Sequence, residues 1–252
     1  MRSRMQIHGR TALRASVALL LALSAWSASA QAPEPVAHWA MDAIEEGVVA
    51  DVSGNGRGAT AHGAEETVPD VIPGIAENAL HFHRDLQQYL LVENTEGLLA
   101  PDAMTVMAWI RPDQRRGAHG VIGNKSDKSG EPPWPGWRFR YFWARIVFQF
   151  GTEDGLEPQV ATENWSVEPG FWHHVAVTYD GQRLRAFINC DLAAEAEVPG
   201  PIMRRDRHLV IGNFIGRKNA YAFDGGIDEL KIFDHVLSPD EIFAAAVKGM
   251  PQ

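Results

Sequence analysis

Cysteine is nearly absent. Cys190 is the single cysteine among 252 residues, so no disulfide can form within the chain and no thiolate cluster can hold a metal. The fold must rest on its apolar core. After the first thirty residues no apolar run approaches the roughly 20 residues that a helix needs to cross a bilayer. Positive charge is also scarce: 23 Lys and Arg stand against 32 Asp and Glu, a net charge of −9. The four arginines of residues 1–30 have no acid beside them, which leaves residues 31–252 at −13. Nucleic acid and anionic membranes require a basic surface, so both are excluded as expected partners. Low-complexity linkers and repeats of solenoid length are missing as well. One domain is the simplest division of what remains.

Residues 1–30 read as a secretory signal. Arg2, Arg4, Arg10 and Arg14 form a basic lead, Ala15 to Trp26 is apolar, and Ala28-Ser29-Ala30 is a small-residue cleavage site before Gln31. A retained membrane anchor is the alternative, and the apolar stretch is short for one. The expected protein is secreted or periplasmic after cleavage near Ala30, with no membrane insertion of the mature chain, and residues 31–252 are one domain. No cysteine near the cut offers a lipid attachment point.

What is present is β-structure punctuated by turns. The chain carries 23 glycines and 15 prolines. Strands are expected over 36–41, 79–82, 89–92, 104–111, 120–124, 137–143, 146–150, 171–179, 184–188, 209–212 and 226–233. In Met104 to Arg111, Met104, Val106, Ala108 and Ile110 alternate with Thr105, Met107 and Trp109. Asp180-Gly181 is a hairpin turn. Ile227, Glu229 and Lys231 are expected on one face of the last strand, with Asp228, Leu230 and Ile232 on the other. One helix stands out, over 239–248. Ser238 is its N-cap, Pro239 takes the first helical position, and Asp240 and Glu241 sit at the positive end of its dipole. Many short strands closed by Gly, Pro, Asn or Asp indicate an all-β sandwich rather than an α/β fold.

Several motifs then occur in a telling order. They are His38-Trp39-Ala40-Met41-Asp42, Asp51-Val52-Ser53-Gly54-Asn55-Gly56, Asn78-Ala79-Leu80-His81-Phe82, and Met104 to Pro112. Trp172 to Gly181 follows, and last comes Gly225 to Phe233 leading into the capped helix. Together they resemble the laminin-G-like, concanavalin A-like jelly rolls over nearly the whole of residues 31–252. The resemblance implies a two-sheet antiparallel sandwich with a short C-terminal helix, used mostly as a binding scaffold. It also implies a structural calcium ion where an N-terminal loop meets the last strand. Relatives usually carry Asn-Gly where this chain has Asn189-Cys190. A non-glycine residue at positive φ costs about 1 kcal/mol, so a different turn is expected here.

Asp42, Asp51, Asn55 and Asp228 are the candidate calcium ligands. Calcium takes six to eight oxygens, and a glycine loop can add backbone carbonyls. Asx-turn capping by Asp51 and Asn55 is the alternative. Trp134, in a proline-rich loop, and Trp137, in the row Trp137, Phe139, Tyr141 and Trp143, are candidate surfaces for stacking on sugar rings. The row could equally be inter-sheet core. Asn124 and Asn213, on expected loop tips, could bind ligand or simply be solvated. For catalysis, Glu153 and Glu157 have an i, i+4 spacing but straddle Gly155 and read as a turn. His173 and His174 are adjacent on a strand and must point to opposite faces. No catalytic residue is assigned.

The functional expectation is non-catalytic binding of carbohydrate or of an extracellular protein, with a possible structural calcium. The alternatives are an atypical polysaccharide hydrolase or lyase, and a structural adhesion module of the cell surface. Two carboxylates about 5–9 Å apart in an open groove would mark the enzyme. An exposed apolar patch of several hundred Å2 would mark the adhesion module.

Overall fold

The computed structural model describes residues 33–96, 98, 102–114, 120–124, 135–198, 200–203, 208–213, 221–248 and 250. In chain order the strands are β1 (Ala37–Trp39), β2 (Val48–Val49), β3 (Ala59–His62), β4 (Asp70–Pro73), β5 (Asn78–Phe82), β6 (Tyr89–Val92), β7 (Met104–Pro112) and β8 (Gly120–Asn124). They continue with β9 (Trp137–Tyr141), β10 (Ile146–Phe150), β11 (Gln159–Ala161), β12 (His173–Tyr179), β13 (Arg183–Ile188), β14 (Asp191–Glu197), β15 (Leu209–Ile211) and β16 (Gly225–Phe233), and the chain closes with helix α1 (Pro239–Val247).

The strands form two sheets of eight. One runs β14-β13-β12-β7-β16-β5-β4, with β1 added alongside β16; the other runs β11-β10-β9-β8-β15-β6-β3-β2. Among the described residues every strand pairing is antiparallel, including those between β7 and both β12 and β16. This is the expected jelly-roll sandwich, and β2, β3, β4, β11 and β14 are additions to the strands read from the sequence.

Between the sheets lies one apolar core. Phe82, Val106, Ile110, Val175, Val177 and Tyr179 of the first sheet pack with Phe139, Phe148 and Phe150 of the second. Each such side chain contributes roughly 1.5–3 kcal/mol through burial. Trp39 is also enclosed, and its indole Nε1 donates to the Arg57 carbonyl at 2.8 Å.

The last strand does not alternate simply. Glu229 takes φ 51 and the pairing with β7 shifts between Asp228 and Lys231. The bulge places an extra residue in β16, so Ile227, Leu230 and Ile232 all reach the core. Strict alternation would have set Ile227 against Leu230 and Ile232. The charged residues Asp228, Glu229 and Lys231 are nonetheless buried.

Helix α1 covers the outer face of the first sheet. Leu237, Ile242, Ala245 and Ala246 pack on Met107, Ala176, Phe187 and Phe233. Its start is the expected capping box: Ser238 Oγ accepts from Glu241 N, and the Glu241 carboxylate accepts from Ser238 N. Its end is held from the sheet. Lys231 Nζ donates to the Ala245 carbonyl at 2.8 Å and Trp109 Nε1 donates to the Ala246 carbonyl at 3.2 Å. Carbonyls in the last turn have no intrahelical donor, and a cation complements that end of the dipole.

Candidate functional site

Three groups of residues could carry function. The first lies where β16 meets the turn joining β4 to β5. Asp228 is fully buried, and its Oδ2 accepts from Ile75 N at 2.7 Å and from Ala76 N at 3.2 Å. Its Oδ1 is buried with no hydrogen-bond partner. Asp42 reaches the same turn, its Oδ1 accepting from Asn78 N at 3.0 Å and its carbonyl from Asn78 Nδ2 at 3.3 Å. A Cβ on Gly74 would fall 2.4 Å from the Asn78 carbonyl oxygen and 2.5 Å from Asp228 Oδ2. Oxygen atoms therefore crowd a spot that only glycine leaves open. Burial pushes the Asp228 carboxyl up to about 7, and the nearby Glu229 and Asp42 charges add to the effect against its two amide hydrogen bonds.

Asp51 and Asn55 lie elsewhere. Asp51 Oδ1 accepts from His38 N and Ser53 N, and Oδ2 accepts from Arg57 N. These bonds hold its pKa below the ordinary value against the opposing desolvation. Asn55 Nδ2 donates to the Val36 carbonyl and to Ser53 Oγ. Both residues organise the glycine loop in the Asx-turn manner. Of the four calcium candidates, Asp42 and Asp228 come together, and Asn78 joins them. Among the described residues no three His, Cys, Asp or Glu side chains converge as a metal cluster. A calcium ion at Asp228 would thus draw most of its oxygens from carbonyls and water. The orphaned Oδ1 and the oxygens gathered beside Gly74 fit such an ion.

The second group is buried and ionic. Glu229 Oε2 lies 2.5 Å from Lys231 Nζ and 3.2 Å from His38 Nε2. The hydrogen bond to His38 and the Lys231 ammonium hold Glu229 below the ordinary carboxylate range despite its desolvation. His174 is wholly enclosed, 3.6 Å from Cys190 Sγ, with its ring edge-on to Trp109. Burial, then the Lys231 charge, drives its pKa down to about 3. A neutral, sealed imidazole next to a thiol whose pKa is itself raised by burial makes a poor nucleophile pair. This cluster docks the helix.

The third group is a rim. The turn between β9 and β10, the segment from β11 to β12, the end of β7 and the start of β16 all meet at one end of the sandwich. Tyr141 Oη donates to the Gln114 carbonyl, Gly170 N to the Pro112 carbonyl, and Val167 N to the Ala144 carbonyl. Here Trp143, Trp165 and Phe171 stand exposed. Beside them the Trp172 ring rests against Gly226, where a Cβ would come within 2.7 Å of it, and lies 5.3 Å beneath the Arg111 guanidinium.

The aromatic row divides accordingly. Trp137 is 1% exposed and stacked on Phe148, with Phe139 and Tyr141 buried alongside it. Its ring belongs to the inter-sheet core, and the expectation of a sugar-stacking surface at Trp137 is corrected: period two carried it inward. Strand β9 ends at Tyr141, so Trp143 leaves the row and enters the turn. Trp134 lies outside the described residues. Asn124 ends β8, whose pairing sets it opposite Arg138 and Val210. Asn213 is not a solvated loop tip but is buried, with its Nδ2 donating to the Gln87 carbonyl at 3.1 Å. Glu153 is exposed in a turn, and Glu157 pairs with the buried Arg138 at 2.6 Å. Phe171, expected to open the strand over 171–179, instead precedes β12 and is exposed, and Trp165 carried no candidate role, although Glu163-Asn164-Trp165-Ser166 sets a large ring among polar neighbours outside any alternating run.

A helix-backed antiparallel sandwich with loops gathered at one rim defines a class of scaffold that presents side chains from its edges. The chain belongs to the concanavalin A-like lectin/glucanases superfamily, whose laminin G family description matches residues 84–243. It is 26% identical over 196 residues to pappalysin-1 of Mus musculus, covering 72% of this chain and 11% of that protein. It is also similar to domain 4 of AbnA, a GH43 extracellular arabinanase from Geobacillus stearothermophilus solved with arabinotriose. That likeness has a TM-score of 0.65 at 19% identity, over 84% of this chain and 98% of that one. The binding domain of Paraclostridial Mosquitocidal Protein 1 matches with a TM-score of 0.65 at 16% identity, over 83% of this chain and 51% of that one. The botulinum neurotoxin serotype D ligand binding domain, solved with N-acetylneuraminic acid, gives a TM-score of 0.60 at 15% identity, over 83% and 50%.

Proposed function

We propose that this protein is an exported, non-catalytic binding module whose ligand is a carbohydrate. The observation that carries the reading is the gathering of Trp143, Trp165 and Phe171 in solvent at one end of the sandwich. Aromatic faces turned to water stack well on the C–H faces of sugar rings, while sugar hydroxyls stay hydrated or meet polar neighbours. The ionisable groups of the Glu229–Lys231–His174 cluster are enclosed and serve to dock the helix. The arabinotriose complex of a similar domain supports a glycan over other ligands.

A structural calcium ion forms the second part of the proposal. Asp228, Asp42 and the Asn78 carbonyl would hold it, and its charge would balance two close carboxylates. The ion would pin the β4–β5 turn to β16.

The test is a glycan array probed with the full chain in calcium and again in chelator. Saturable binding to a defined set of glycans supports the module. Hydrolysis or eliminative cleavage of any bound glycan would replace it with the hydrolase or lyase reading.

A further inference from the structure

Six tryptophans fall among the described residues, and two of them, Trp143 and Trp165, are exposed, at 42% and 55%. The same two hold positive φ, 55 and 70. A large side chain in the left-handed region is a backbone outlier, and such strain persists where the surroundings or a function demand it. Trp143 opens the two-residue turn between β9 and β10, closed by the Phe142 N to Arg145 O bond. Both turn residues need positive φ, and Asn-Gly is the favoured pair there. The second, Ala144 at φ 53, is completely buried, so packing accounts for it. The turn demands the φ of Trp143 but not an indole there, whose ring meets Phe142 edge-on and remains 42% exposed. Each indole is thus both strained and unburied, on neighbouring loops tied by the Val167 N to Ala144 O bond at 2.9 Å.

We infer that Trp143 and Trp165 together form the stacking platform for a neutral glycan. The inference rests on the carbohydrate reading above and assigns its contact residues and ligand class. The charge of −13 on residues 31–252 disfavours uronates and sulfated chains. The platform is also unlike a protein-docking patch. Exposed Glu163 and Asn164 flank Trp165, and half-buried Arg145 follows the turn that carries Trp143, so polar groups interrupt the apolar surface. Those groups suit hydroxyls.

The test titrates the full chain, by calorimetry, with arabinotriose, xylohexaose, cellohexaose, mannohexaose and hexagalacturonate. The variants are Trp143→Ala, Trp165→Ala and Trp143→Gly, with Phe243→Ala on the exposed face of α1 as control. The expected result is binding of at least one neutral oligosaccharide, weakened about tenfold or more by each tryptophan change and untouched by the control. Trp143→Gly relieves the turn, so it should lose binding while its melting temperature holds or rises. That separates loss of the ring from loss of the fold. Full binding by folded Trp143→Ala and Trp165→Ala would overturn the platform and leave the carbohydrate reading standing. Binding of hexagalacturonate alone would overturn the neutral class. Absence of binding to every probe would overturn the platform and count against the carbohydrate reading as well. Self-association that is lost in the variants, without glycan binding, would assign the rings to a second copy of the chain instead.

Discussion

Asp228 Oδ2 accepts the Ile75 amide at 2.7 Å, joining the last strand to the turn between β4 and β5 across 153 residues of sequence. The other oxygen of the same carboxylate has no partner. Burial raises the folded-state pKa to about 7, against an ordinary 3.8. In the unfolded chain the group ionises near pH 4. The folded state therefore binds the extra proton between about pH 4 and 7, and stability from this group is lost as pH rises through that window. In chelator, the wild-type melting temperature should fall from pH 5 to pH 8 more than that of Asp228→Asn. Calcium at about 100 times its Kd should restore roughly 2.7 kcal/mol at pH 8 and much less at pH 5. Equal calorimetric scans with and without calcium at pH 8 would remove the ion from the proposal.

Lys231 is 3% exposed and serves Glu229 and the end of α1 at once. Replacing it with Met keeps most of the volume but leaves the Glu229 charge buried with only His38 beside it. Breaking a buried pair from one side costs about 3–5 kcal/mol. Lys231→Met should therefore lower the urea midpoint strongly, and Lys231→Met with Glu229→Gln should recover part of the loss. A double-mutant cycle by urea unfolding measures the coupling, and additive losses would show that the pair is not coupled.

The elements that were legible before the structure are those fixed by local signals. Ser238-Pro239-Asp240-Glu241 carries its cap within four residues, and the β12–β13 hairpin announces itself at Asp180-Gly181. The bulge at Glu229 was not legible, because an extra residue in a strand is defined only against its partner β7. Nor was the end of the aromatic row. Trp143-Ala144 lacks the residues that signal a turn, so period two ran through it and hid the exposed ring among the buried ones. Asp42 and Asp228 lie 186 residues apart, and the resemblance pointed to the Asp51–Gly56 loop as the partner of Asp228, whereas the structure sets Asp228 against the β4–β5 turn. Asn78, which completes that corner, sits in a motif that reads as plain strand.

The capping box at α1 offers a local test with little side effect. Ser238 Oγ satisfies the Glu241 amide at 3.3 Å, and Ser238 itself is exposed. Ser238→Ala should cost about 1 kcal/mol. Because the helix packs on Met107, Phe187 and Phe233, hydrogen exchange should quicken first at the amides of Asp240, Glu241 and Ile242. Unchanged protection at these amides would mean that packing alone holds the first turn.

At Asn189-Cys190, where a different turn from the Asn-Gly kind was expected, both residues take positive φ, 52 and 70. Asn189 is suited to that region and is further held by its side chain, whose Oδ1 accepts from His174 N at 3.1 Å. Cys190 has no such suitability, so its backbone is strained. Its thiol gains a contact with His174 Nδ1 at 3.6 Å and packs partly against the cluster under α1. The strain is worth about 1 kcal/mol, and the half-buried sulfur returns less. Cys190→Gly should therefore raise stability by about 0.5 kcal/mol, seen as a higher urea midpoint with an unchanged slope. Cys190→Ala keeps the Cβ and with it the strain, but loses the sulfur, so its midpoint should fall. If both variants lose stability equally, the thiol contact outweighs the backbone, and Cys190 is held in the turn by its packing on His174.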